Sequence, residues 1–190
     1  RLLVMSATLD GARVAKLLDD APVIVSEGRA YPIDTQYLGR PANGRIDDGM
    51  VDAILRALRN ETGSVLAFLP GQGEIRRVED RLTEKLRGTP LAERVDIAPL
   101  HGALDPRAQD RAVSPTETGR RKVVLATSIA ETSLTIEGVR IVVDCGLARG
   151  PRYEPDAGVT RLETTRVSRA AADQRRPAAL PWYSATVGPA

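Results

Sequence analysis

Between residues 64 and 145 the chain alternates short apolar runs with charged stretches of helical period, and this rhythm restricts its fold more than any other feature. "SVLAFL" (64–69), "VDIAPL" (95–100), "KVVLAT" (122–127) and "RIVVDC" (140–145) read as strands. As a set they lack the apolar–polar alternation of a half-exposed sheet, so both of their faces should be buried. Between the first two, "GQGEIRRVEDRLTEKL" puts Ile75, Val78, Leu82 and Leu86 on one helical stripe among charges. Asp105 followed by Pro106 forms an N-cap and N1 pair that opens the helix "DPRAQDRAV". Upstream, "LLVMSA" and "PVIV" read as strands around the helix "GARVAKLLDD", and "IDDGMVDAILRALRN" reads as a helix capped by Asp47 or Asp48. Buried strands separated by amphipathic helices predict an α/β fold, a parallel sheet with helices on both faces.

Composition narrows the function classes. The chain has 190 residues, 42% apolar and 27% charged, enough for one core domain plus pieces. Lys16, Lys85 and Lys122 are the lysines among 27 basic residues, and the net charge of +2 does not by itself demand a polyanion. A single cysteine, Cys145, excludes an internal disulfide framework, and the sequence carries neither a signal-peptide pattern nor an apolar run of membrane-spanning length. A cytoplasmic protein without membrane partners is expected. With one Trp, one Phe and four Tyr, rows of base-stacking rings are not expected, so any nucleic acid would be held by its backbone.

The stretch "TSIAETSLTI" (127–136) carries the most concentrated polar chemistry. It holds Thr127, Ser128, Thr132, Ser133 and Thr135 beside one carboxylate, Glu131, and it leaves the C-terminal end of a predicted parallel strand, where open α/β sheets bind ligands. Ser128 to Glu131 fits a capping box, in which the serine accepts from the N3 amide and the glutamate reaches back to the cap amide. A helix beginning there would aim free amides at a phosphate, with short hydroxyls beside it. A polar βα loop that satisfies only its own backbone fits the same residues, and both readings stand on chemistry alone.

Five blocks in order carry a resemblance: "MSATLD" (5–10), "FLPGQGEI" (68–75), "PLHGAL" (99–104), "ATSIAETSLTIEG" (126–138) and "DQRR" (173–176). Together they resemble successive motifs of the DEAH-box helicases, and "VVDCGLARGPRYEPDAGVTRLETTRVS" looks most like the bacterial HrpB branch of that family. The triplet of Ser6 to Thr8 recurs at Ser184 to Thr186, which reads as chance. The resemblance implies a RecA-like fold: the end of a first RecA-like domain over residues 1–24, a crossover over 25–45, a second RecA-like, helicase C-terminal domain over 46–176, and a divergent tail over 177–190. It implies ATP and Mg2+ as cofactors of the longer parent, none of them bound by this chain alone. The implied partners are single-stranded RNA or DNA, the first RecA-like domain and the parent's downstream domains. No G-x-x-x-x-G-K-[ST] phosphate loop occurs in the sequence, so the chain is expected to be a helicase fragment without ATPase activity of its own.

The same resemblance implies roles for single residues. Ser6 and Thr8 match the motif that couples the ATP site to the nucleic-acid path. Gly102, Thr127, Ser128, Ser133 and Thr135 match positions that touch the nucleic-acid backbone or sense the nucleotide. Glu137 matches an acidic position near the ribose, and Gln174 lies near the terminal phosphates in relatives. His101, the only histidine, reads as a structural loop residue. Val113 stands in the neighbourhood where relatives stack an aromatic on the base, which predicts loose nucleobase selectivity. No metal-ligand set is predicted.

Two further expectations concern the C-terminal third. "RYEPDAGVTRLE" places a turn at Asp156 to Gly158 between two short polar strands, a β-hairpin. Such a hairpin in the family helps to split duplexes; as plain structure, it closes a sheet edge. After Arg176 the family continues Gly-Arg-Ala-Gly-Arg, with two arginine fingers worth ~10³-fold or more in related NTPases. Here Ala178 and Pro181 occupy those places, Pro177 breaks the helical geometry, and the uncharged stretch to Ala190 points to a shifted reading frame or an aberrant terminus. Two functions therefore compete: part of an ATP-driven helicase, or a noncatalytic module that binds nucleic acid or a partner.

Overall fold

A computed structural model describes residues 4, 11–25, 33–39, 44–131, 136–155 and 158–176, together with the backbone of 183–186. The chain divides into two compact units, residues 1–31 and 32–190. In the first, α1 (Gly11–Leu17) forms where the sequence predicts a helix, with no buried residue. "PVIV" (22–25) is not a strand: it is irregular, and Ile24 and Val25 are exposed. A strand needs a neighbour for its amides and carbonyls, and no sheet occurs among the described residues of this unit. Apart from Val4, "LLVMSA" lies outside the described residues.

The second unit runs β1 (Asp34–Tyr37), α2 (Ile46–Asn60), β2 (Ser64–Phe68), α3 (Gln72–Leu86), β3 (Val95–Leu100), α4 (Pro106–Val113) and β4 (Arg121–Ala126). A single 3-10 turn (Ser128–Glu131) follows, then β5 (Val139–Asp144), β6 (Leu147–Glu154), β7 (Val159–Arg166), α5 (Arg169–Arg175) and β8 (Tyr183–Thr186). Six strands form one parallel sheet in the order β1-β8-β5-β2-β4-β3. The expected RecA-like α/β arrangement is therefore present.

Residue alternation along the central strands feeds two cores. Val65 and Ala67 of β2, Val123 and Leu125 of β4, and Ile141 and Val143 of β5 pack with α2 and α3. Leu66, Phe68, Val124, Ala126 and Val142 face the other way, against Ala112 of α4 and Ala130 of the 3-10 turn. Each residue of β2 is buried, which is why that strand reads as an unbroken apolar run. The α3 stripe is confirmed, since Ile75, Val78, Leu82 and Leu86 are the residues that helix buries.

Local signals divide into those confirmed and those corrected. Asp105 caps α4 by accepting from the Ala108 amide at 3.0 Å, with Pro106 in the first turn. The cap of α2 is Arg45, not Asp47 or Asp48. Asp47 lies inside the first turn, buried, and accepts from Arg77 Nε at 2.7 Å and Arg45 Nη2 at 3.3 Å. Asp48 pairs with Arg81 across to α3. A carboxylate in the first helical turn still meets the positive end of the helix dipole, and here long arginines reach it first.

The expected hairpin is β6 paired antiparallel with β7, Glu154 opposite Val159 and Leu147 opposite Arg166. Asp156 and Ala157 lie outside the described residues; Gly158, at φ +63°, takes the left-handed conformation that a tight return favours. Two strands were not anticipated. β1 comes from the stretch expected to be a crossover, and β8, which includes Ser184 to Thr186, comes from the divergent tail and joins β1 to β5.

Candidate functional site

The C-terminal ends of β3, β4, β2 and β5 form a continuous shelf. The Thr127 amide donates to the Leu100 carbonyl at 3.2 Å, Leu69 N to Ala126 O at 2.8 Å, and Cys145 N to Phe68 O at 3.3 Å. Each strand end is thereby tied to its neighbour, and the loops leaving them share one edge. Gly102 sits there, exposed, in the turn closed by Leu104 N donating to His101 O at 3.1 Å. A Cβ at Gly102 would meet nothing within 4 Å, so the protein leaves open space above it. His101 is buried, and its Nδ1 has no partner among the described residues. Thr127 is half-buried and Ser128 exposed, on the rim next to the glycine turn.

The stretch after Thr127 departs from the predicted cap. Ser128 to Glu131 is one 3-10 turn, started by Ala130 N donating to Thr127 O at 3.2 Å. Glu131 does not reach back to its own turn. Its Oε1 accepts from Arg175 Nε at 2.7 Å and lies 2.6 Å from Arg175 Nη2. A full guanidinium is a stronger donor than a neutral amide, and it outcompetes the local cap.

Arg175 belongs to α5, which Ser168 caps by accepting from the Ala171 amide at 3.1 Å. Its side chain is almost wholly buried, at 1% exposure for the residue. Besides Glu131 it donates from Nη1 to Asp144 Oδ1 at 2.9 Å and to Leu147 O at 3.4 Å, and its guanidinium carbon lies 4.8 Å from the centroid of the Phe68 ring. Asp144 also accepts from Gly146 N at 2.8 Å. The sequence pattern of "DQRR" points to Gln174 and assigns Arg175 no role. The available signal is spacing: Arg175 follows Ala171 and Ala172 by four and three residues, on the same helical face.

Gln174 reaches the same shelf, its Nε2 donating to the Glu131 carbonyl at 3.3 Å. Glu137 does not. It is exposed in the turn before β5, and the next residue, Gly138, accepts from Ser64 N at 2.9 Å at the start of β2. The structure therefore gathers Gly102, Thr127, Ser128 and Gln174 at the strand ends and puts Glu137 at the opposite end of the sheet. Ser6, Thr8, Ser133 and Thr135 lie outside the described residues, as do Ala178 and Pro181. Val113 packs partly buried against the core cluster beneath α4.

A second link runs along the shelf toward the hairpin. Arg149 of β6 lies 3.5 Å from Glu74 of α3, and a Cβ on Gly71 would come within 2.8 Å of Arg149 Nη1. The glycine of "FLPGQGEI" thus leaves room for that guanidinium. Cys145, between β5 and β6, has its thiol pushed up to about 12, chiefly by burial and then by the Asp144 charge.

Chemically, the shelf is a polar edge at the strand ends. It presents hydroxyls, an open glycine turn and amides, whereas its buried cation already serves two carboxylates. Among the described residues no group of His, Cys, Asp and Glu could hold a metal ion. Arg175, 1% exposed, is too enclosed to meet a nucleotide phosphate directly. Also among the described residues, no helix is long and apolar enough to cross a membrane.

Comparison with known proteins agrees with this architecture. The profile of the "Helicase conserved C-terminal domain" matches residues 49–175. The "ATP-dependent RNA helicase HrpB" of Escherichia coli strain K12 is 50% identical over 175 residues, which is 92% of this chain and 21% of that protein. Two solved structures are similar at 48% identity: the E. coli DExH-box NTPase HrpB, with a TM-score of 0.85 over 96% of this chain and 22% of that one, and the E. coli DEAH/RHA helicase HrpB, at 0.86 over 96% and 23%. The chain thus spans about a fifth of the length of the curated relative it matches. On the matched span, the parallel sheet and the ordered motifs, this chain belongs to the helicase conserved C-terminal domain family, on its HrpB-like DEAH-box branch.

Proposed function

We propose that this chain is the second RecA-like part of an ATP-dependent RNA or DNA helicase, and that its strand-end shelf grips the backbone of a single strand while hydrolysis in the parent drives movement. The observation that carries the reading is the shelf itself: an exposed Ser128 and a half-buried Thr127 beside a glycine turn with open space above it, on the edge where parallel sheets bind ligands. In this reading Gly102, Thr127, Ser128, Ser133 and Thr135 contact the strand through hydroxyls and amides. Ser6 and Thr8 couple it to the ATP site, and Gln174 faces the nucleotide of the assembled parent; Glu137, expected near the ribose, sits at the opposite end of the sheet from Gln174. The domain limits are those of the family pattern: 1–24, 25–45, 46–176 and a divergent tail. ATP and Mg2+ bind chiefly to a first RecA-like domain, the site of action is the cytoplasm, and the name of the E. coli relative favours RNA as the strand.

For the chain alone, the noncatalytic reading, binding without hydrolysis, rests on the sequence, which carries no G-x-x-x-x-G-K-[ST] phosphate loop. The test is fluorescence anisotropy of labelled single-stranded oligo-U and oligo-dT with the 190-residue chain. Weak, sequence-independent binding that falls gently with salt is expected, since hydrogen bonds to phosphate outnumber ion pairs at this shelf. Ser133→Ala with Thr135→Ala should remove most of it without moving the melting midpoint, and unchanged affinity in the double variant would take those residues out of the interface. Phosphate release from ATP by the chain alone would overturn the noncatalytic reading.

A further inference from the structure

We propose that Arg175 is a positioning residue that locks the Thr127–Glu131 turn to helix α5, so that the strand-facing hydroxyls and the Gln174 side chain move as one body. The inference rests on the strand-gripping reading above. α5 holds Glu131 twice: Arg175 takes its carboxylate at 2.7 Å and Gln174 its main-chain carbonyl at 3.3 Å. Holding both ends of one residue fixes the orientation of the turn and not merely its distance from the helix. The rest of the guanidinium is anchored to the sheet, by Asp144 at the end of β5, the Leu147 carbonyl at the start of β6 and the Phe68 ring at the end of β2.

One planar cation thus joins α5, the 3-10 turn and the ends of two parallel strands. Such a junction suits arginine alone, because its donors form a rigid fork, whereas a lysine ammonium offers a single point of charge on a flexible stem. A group that only filled the core would be better served by an apolar side chain, since burying charge is costly. What the charge adds is direction: it selects the one placement of Glu131 that satisfies it. Gln174 neighbours Arg175 on the same helix, so a displacement of the turn by a bound strand is felt at Gln174 through a contiguous set of contacts.

The test uses the 190-residue chain, 5′-fluorescein oligo-U and two conservative variants, Arg175→Lys and Glu131→Gln. The second keeps the size of the side chain and an acceptor oxygen at a partly exposed site, which protects the test should Arg175→Lys fold poorly. Near-UV circular dichroism defines a temperature at which each protein retains its tertiary signal. There, both variants should bind oligo-U about tenfold more weakly than the parent, and combining them should add little, because both act through one contact.

The side-chain amide resonances of Gln174 in 15N–1H spectra provide a readout that simple stability would not move. They should shift when oligo-U is added to the parent and shift by less than half as much in Glu131→Gln, where only the Gln174 bond to the residue 131 carbonyl remains, at oligo-U concentrations that saturate both. Folded variants with parental affinity, or a Gln174 signal that responds alike in parent and variant, would overturn the lock. If the parent itself gives no anisotropy change, the strand-gripping reading falls and takes the lock with it; if the parent binds and the variants bind equally, only the lock falls.

Discussion

Arg175 and Arg152 make the same contact, a guanidinium against a carboxylate, in opposite surroundings. Arg175 is 2% exposed in its side chain and meets Glu131 and Asp144 at 17% and 7%. Arg152, on the β6–β7 hairpin, is 68% exposed and meets Glu163 at 2.8 Å, itself 45% exposed. Around Arg175 water cannot replace a lost partner, so the contact is obligatory once the strand ends have closed over it. On the hairpin water replaces either partner at once. The hairpin is instead held by its ladder of main-chain bonds, with exposed residues along almost all of β7 and half of β6. The same chemistry thus fixes architecture at one end of β6 and decorates it further along.

Arg175→Ala should break this contrast most severely. It leaves Asp144, 7% exposed, and Glu131, 17% exposed, without their shared counter-charge, a change that costs about 3–5 kcal/mol when a buried pair loses one partner. Urea unfolding of the 190-residue chain should show the loss as a lower midpoint. Neutralising the whole cluster with Arg175→Met, Glu131→Gln and Asp144→Asn should recover part of it, because no unpaired charge then remains. A triple variant less stable than Arg175→Ala would show that shape, not charge, governs the site.

Cys145 lies on the boundary between the two regions and reports whether it opens. Its thiol is buried, with its pKa raised from an ordinary 9.0 to about 12. The folded state therefore holds the proton more tightly than the unfolded chain. The stability this confers is complete below pH 9 and is lost as pH rises toward 12. At pH 8 the folded thiolate fraction is about 10³-fold below that of the unfolded chain, so alkylation by iodoacetamide should be nearly absent until urea opens the fold. Cys145→Ala should lose less stability than the parent between pH 9 and 11. Rapid labelling of the native chain would show that the link from β5 to β6 opens independently of the sheet.

Asp105 is the intermediate case, an exposed carboxylate whose partner is an amide of its own chain segment at 3.0 Å. The geometry is set by the backbone, so little side-chain ordering is needed to make the bond. Asp105→Ala should cost about 1 kcal/mol, more than an exposed ion pair and less than the buried cluster. Asp105→Asn should retain most of the cap. Thermal melts of the two variants separate the hydrogen bond from the charge.

These differences also explain what could be read from the sequence. Buried parallel strands such as β2 announce themselves because each residue is apolar, and α3 because its stripe recurs at helical spacing. The Asp105 cap is local and is legible for that reason. β1, "DTQY", has only half-buried or exposed residues and becomes a strand by pairing with β8, about 150 residues away, a partnership without a local signature. The Glu131–Arg175 pair spans 44 positions, and the local capping pattern around Glu131 pointed elsewhere. Asp47 was misread as a cap for a similar reason, since Arg77, 30 positions on, supplies its partner. Gly102, Thr127 and Ser128 come together because their motifs follow strand ends, and Gln174 joins them from α5 through the Glu131 carbonyl, whereas Glu137 lies in the turn before β5, a whole strand length away.

The smallest effect is expected on the hairpin, and it is the one that sets the scale for the others. Arg152→Gln removes the charge opposite Glu163 but leaves the main-chain pairing of Gly150 with Glu163 and of Arg152 with Arg161 intact. Arg161 remains 3.6 Å from Glu154 on the same ribbon, so a second exposed pair bridges the strands. Exposed pairs gain little, because water and salt screen them and two long side chains must be held in one geometry. The urea midpoint of Arg152→Gln should therefore match that of the parent within replicate error, at low and at high salt alike. Hydrogen exchange at the Thr160 and Leu162 amides should quicken only slightly, reporting easier local opening without global loss. A midpoint lowered as far as that of Asp105→Ala would mean that the exposed pair belongs to the cooperative core, and burial would no longer account for the difference between Arg152 and Arg175.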